Sequence, residues 1–157
     1  MTSTKINRFL EILRWTGVAI AIFFGFYLGT NPQSQFSIFA IITVLFVGGI
    51  TTLEIFTLAK SGSDVSGYGK GGAYQRQSGV HFLAITLTMI LAWFMGWGFY
   101  AYASIFMVLL IFLTLSAVNH LYSGLKEKFV LNTILRPLLT LFLWIISLYF
   151  LLPALAV

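Results

Sequence analysis

The sequence contains no cysteine. Disulfides, thiolate metal ligands, cysteine nucleophiles and lipidated cysteines are therefore excluded. Charge is almost as scarce. Only 8% of the residues are Asp, Glu, Lys or Arg, and only four are acidic. A soluble domain carries roughly 25% charged residues. This deficit excludes a soluble enzyme, a disordered chain and a nucleic-acid-binding domain. What abounds is apolar. Hydrophobic residues make up 59% of the 157, with sixteen Phe and four Trp, and the mean hydropathy is +0.97. Side chains in that number need an apolar solvent larger than a core of this size, and that solvent is a bilayer. The length suits one domain, 1–157.

A hydrocarbon core of ~30 Å needs about 20 apolar residues at 1.5 Å each. Spans are expected at about 15–29, 36–59, 79–96, 102–122 and 137–153. The third and fourth come from one uncharged run, from Gly79 to Val118, that holds only His81 as a candidate charge. As a single helix it would reach about 60 Å, so it must fold back. Gly96-Trp97-Gly98 is the natural break, because paired glycines loosen a helix and Trp and Tyr favour the membrane interface. Pro137 reads as a first-turn residue of the fifth span.

The charges set the topology. Lys5, Arg8 and Arg14 precede span one. Lys60, Lys70 and Arg76 separate spans two and three. Lys126, Lys128 and Arg136 separate spans four and five. The other connections carry no charge. Five spans place the three basic segments on one side, which the positive-inside rule makes cytoplasmic. The expectation is an all-α bundle of five transmembrane helices, N-terminus cytoplasmic and C-terminus external. The net charge of +5 is then a topology signal and requires no acidic partner or nucleic acid. Span one has a basic start but no small-residue cleavage site after it, so it reads as a mature helix. Ile6, Phe9, Leu10 and Leu13 suit a short interfacial turn leading into it.

Ser61 to Ala73 holds five glycines and reads as a flexible loop, since it lacks a P-loop or dinucleotide fingerprint. Gly124 reads as a helix stop. Residues 125–135 mix Lys126, Glu127 and Lys128 with Phe129, Leu131, Ile134 and Leu135, as a short amphipathic helix would.

Membrane helices pack through small residues, because lipid is as apolar as leucine. Gly17, Ala21, Gly25 and Gly29 recur every four residues along span one and mark a helix-packing stripe. Similar inward faces are expected at Gly48, Thr51, Glu54 and Thr57; at His81, Ala84, Thr88 and Ala92; at Ser116, Asn119 and Ser123 with His120 beside them; and at Thr140 and Ser147. Glu54 lies six residues before Lys60, about 9 Å below the inner interface. His81 opens span three and His120 closes span four at that level, with Arg76 and Asn119 near them. An intramembrane carboxylate costs ~2.5–3.5 kcal/mol on insertion scales, so it requires a partner. The candidate polar cluster is thus Glu54, Arg76, His81, Asn119 and His120. One reading is a structural pair that fixes helix register. Others are a proton or ion relay, a metal held by His81, His120 and Glu54, or one haem between the two histidines.

Tyr74-Gln75-Arg76-Gln77-Ser78-Gly79 and Ser116-Ala117-Val118-Asn119-His120-Leu121-Tyr122 resemble an uncharacterised prokaryotic family of small polytopic membrane proteins. Its members begin one helix with aromatic-Gln…Gly and end the next with small-small-x-Gly-His-x-Tyr. The resemblance covers about residues 74–140. Asn119 stands where that family has Gly, and Glu54 where a His is more usual. It implies a prokaryotic cytoplasmic (inner) membrane and carries over no catalytic residue.

Three function classes fit. The first is a binding or accessory subunit that packs in the membrane with itself, as a homo-oligomer, or with a larger complex, with lipids as its other partners and no cofactor. The second is a membrane-embedded enzyme or a haem or divalent-metal carrier. The third is a small transporter or channel, for which paired broken helices or inverted repeats would speak. None is evident.

Overall fold

A computed structural model describes residues 3–66, 73–126 and 131–156. These residues are helical almost throughout. The helices are α1 (Ser3–Leu28), α2 (Pro32–Thr43), α3 (Gly49–Ser66), α4 (Ala73–Phe94), α5 (Phe99–Lys126) and α6 (Leu131–Leu155). A π-helical turn, Val44–Gly48, joins α2 to α3 without a break in helical dihedrals. Five stretches are long and apolar enough to cross a membrane: Phe9–Leu28, Pro32–Thr57, Arg76–Phe94, Phe99–Asn119 and Leu135–Leu155.

Local chemistry explains the ends. Asn31 accepts from the Ser34 amide, and Ser34 Oγ accepts from the Asn31 amide. This reciprocal cap satisfies two orphan donors, and Pro32 in the first turn has no amide to satisfy. At the other reversal, the Gly96 amide donates to the Trp93 carbonyl and the Trp97 amide to the Ala92 carbonyl. That is a Schellman motif, which needs a left-handed residue, and Gly96 supplies it at φ 62°. Gly98 follows at φ 85°.

Successive spans run antiparallel, and span two is the central one. Half of its apolar stretch is buried in the bundle, against 28% of each of the others. α2 packs on α1, α5 and α6, while α3 packs on α1 and α4. Around α2 the core is aromatic. Phe39 stacks on Phe150 at 4.8 Å, and Phe106 meets Phe36 and Phe39 at 5.7 and 5.5 Å. Such pairs add about 0.5–1.5 kcal/mol each beyond their buried area. α5 and α6 are joined by a relay in which Trp144 Nε1 donates to Thr114 Oγ1 at 2.8 Å and Thr114 donates to the Leu110 carbonyl.

Several expectations are corrected. The turn at residues 6–13 is continuous with span one, because α1 starts at Ser3. α3 continues through Ser66, so the first half of the glycine-rich segment is helix, and 67–72 lie outside the described residues. α5 passes through Gly124 to Lys126. A glycine stops a helix only where the chain turns left-handed, and here it does not. The separate amphipathic helix at 125–135 is absent among the described residues: its two ends belong to α5 and α6, and 127–130 lie outside them. Pro137 is interior to α6, not in its first turn. The α4 face of His81, Ala84 and Thr88 is exposed. Ala92 of that face is buried as expected, together with Phe82, Thr86 and Met89.

Candidate functional site

The small-residue stripe of α1 lies against span two. A Cβ on Gly17 would fall 2.2 Å from the Phe46 ring. A Cβ on Gly25 would meet the Gln35 carbonyl at 3.2 Å, and one on Gly29 would meet Gln35 Cα at 2.6 Å. Ala21 is fully buried. This close approach brings α1 and span two together along their length, and it sets up the charged site.

One turn below Gly17, Arg14 is nine-tenths buried. Its Nη2 donates to Glu54 Oε2 of α3 at 2.5 Å, and its Nη1 donates to Glu11 Oε2 at 2.8 Å. Trp15 Nε1 donates to the other Glu11 oxygen at 3.3 Å. Helical side chains lean toward their own N-terminus. Because α1 and α3 are antiparallel, Arg14 and Glu54 lean toward each other. Glu11 and Arg14 are three apart on one helix, the spacing of surface neighbours. Two carboxylates thus share one guanidinium. Charge-assisted bonds of this kind are about twice as strong as neutral ones, and each charge here satisfies another. Among the described residues Arg14 Nε has no hydrogen-bond partner.

Glu54 therefore pairs with Arg14, which lies outside the five-residue cluster expected around it. Gly79 of α4 faces Ile55 of α3. His81 is two residues, or about 200°, further round the helix and points away from α3. Its ring is exposed, stacks at 5.8 Å on Phe112 of α5, and its Nδ1 is 2.7 Å from the Gln77 carbonyl. A carbonyl only accepts, so Nδ1 carries the proton. Arg76 is exposed, and Asn119 is half-buried on α5. α5 packs chiefly on α2, α4 and α6, away from α3. The side chain of His120 lies outside the described residues. Among the described residues no three His, Asp or Glu side chains gather as a metal-binding group.

The residues that sequence reading missed are Arg14, Glu11 and Trp15. Arg14 counts in sequence as a topology charge ahead of span one. The usable signal was its i,i+3 relation to Glu11 and its position one turn before the glycine stripe.

Comparison with protein-family models, with curated proteins and with solved structures gave no match to this chain.

Proposed function

We propose that this chain is a small integral membrane protein acting as a binding or accessory subunit, packed in the membrane with itself or with a larger complex. In this reading its membrane is the cytoplasmic membrane of a prokaryote, its N-terminus is cytoplasmic and its C-terminus external. The observation that carries the proposal is how the interior is filled. The centre of the bundle is occupied by Phe36, Phe39, Phe106 and Phe150, all buried, and the two carboxylates of the first two spans are both paired with Arg14. A polar path across the membrane would instead place ionisable groups along the interior. Two connections between spans are very short, Gly29–Asn31 and Met95–Gly98, so the chain works through its membrane faces.

The test is purification in a mild detergent, followed by mass measurement of the particle, an absorption spectrum and an ion-flux assay in proteoliposomes. A particle heavier than the 17.5 kDa chain, with no flux, is expected. A strictly monomeric particle, a haem Soret band or specific flux would each overturn the proposal.

A further inference from the structure

α3 and α4 approach closely at two glycines, where Gly79 meets Ile55 and Gly48 meets Thr86. Over the outward side of this contact runs an open groove of about 440 Å³. That volume falls within the ~300–1,000 Å³ of ordinary ligand sites. Leu13 of α1 and Leu53 of α3 border it on one side, and Leu83 and Leu87 of α4 on the other. Gly49 makes its floor deep, because a Cβ there would meet only the Thr86 methyl, at 3.8 Å. The threonines that line it, Thr52 and Thr86, turn their hydroxyls to carbonyls of their own helices. The groove is therefore apolar.

Arg76 stands in line with this groove. It precedes Leu83 by seven residues and Leu87 by eleven, two and three turns of the same face of α4. The rise per residue places it about 10 Å below Leu83 and about 21 Å below Ile90, which lines the groove's far end. It opens the apolar stretch Arg76–Phe94, and it is exposed. Among the described residues it has no ion-pair partner, whereas Glu11 and Glu54 are both held by Arg14.

We propose that this groove binds one acyl chain of an anionic phospholipid, with the lipid's phosphate held by Arg76. The proposal rests on the chain spanning a bilayer. The span from Arg76 to Ile90 matches the depth of one leaflet, about half of a ~30 Å core plus the headgroup level. A guanidinium offers a phosphate two parallel hydrogen bonds. A zwitterionic headgroup brings its own cation to compete for that phosphate; an anionic one does not.

The experiment is native mass spectrometry of the purified protein with phosphatidylglycerol or phosphatidylcholine of identical acyl chains, together with thermal melting in each lipid. One phosphatidylglycerol is expected to be retained at least fivefold over phosphatidylcholine, and to raise the melting temperature more. Arg76→Gln removes that preference, and Arg76→Lys keeps most of it. Arg76 is exposed, so these variants fold. Gly49→Leu, or Leu87→Trp should that variant not fold, fills the groove and lowers retention of both lipids. Equal retention of the two lipids by the wild type, or an unchanged preference in Arg76→Gln, overturns the site. Inorganic phosphate raising the melting temperature as much as the lipid does would also overturn it, by showing an anion site without a chain.

Discussion

Arg14 and Glu54, forty positions apart in sequence, are joined by one charge-assisted hydrogen bond that ties α1 to α3. Removing one partner of a buried pair costs about 3–5 kcal/mol, because the other charge is left uncompensated. Glu11 remains on Arg14, so Glu54→Leu should fall at or below the low end of that range. Glu54→Gln should cost less still, since its amide oxygen accepts one bond from Arg14. Arg14→Leu combined with Glu54→Leu should recover part of the loss. Thermal melts of the three variants in detergent check the order. The pair is refuted as a tether if Glu54→Leu melts with the wild type.

Gly17 and Gly25 share the stripe but differ in room. A Cβ at Gly17 falls among the Phe46 ring atoms at 2.2–2.3 Å, whereas at Gly25 the nearest atoms are at 3.2 Å. Gly17→Ala should therefore destabilise by the ~1–3 kcal/mol of an overpacked site, and Gly25→Ala by clearly less. Equal melting temperatures for the two variants would contradict the close approach.

Gly96 presents the opposite case. Nothing lies within 4 Å of a Cβ there, yet its φ is 62°. Gly96→Ala should cost about 1–2 kcal/mol, all of it backbone strain, and Gly96→Asn less, because Asn visits the left-handed region more readily. A melt series that ranks Asn below Ala would count against the Schellman turn.

The alternation of basic segments predicts a cytoplasmic N-terminus. A reporter active only in the cytoplasm should stay silent when fused after Val157 and be active when fused before Met1. Activity at the C-terminus would overturn the orientation.

The five spans and the reversal at Gly96 were legible in sequence because they depend on average hydropathy and on backbone freedom, which composition records directly. The partner of Glu54 was not. Depth alone placed Glu54 with His81 and His120, but depth says nothing about azimuth, and the contact at Gly79 turns His81 toward α5. Arg14 was hidden by an assumed boundary. With span one starting at Trp15 it is a flanking charge, yet the apolar helix starts at Phe9 and takes Arg14 inside. Nor does any residue pattern mark the π turn at Val44–Gly48.

That π turn acts as a phase adjuster. A wide turn accommodates more residues than an α turn, and each residue of helix carries about 100° of rotation. Were the same five residues wound as an ordinary α turn instead, everything beyond them would swing round by close to that angle. Glu54 would then leave the side that meets α1, while Ile55 would leave Gly79. The five-residue turn thus sets the azimuth of every side chain on α3, and through it the pairing of the only two charges that link separate spans among the described residues.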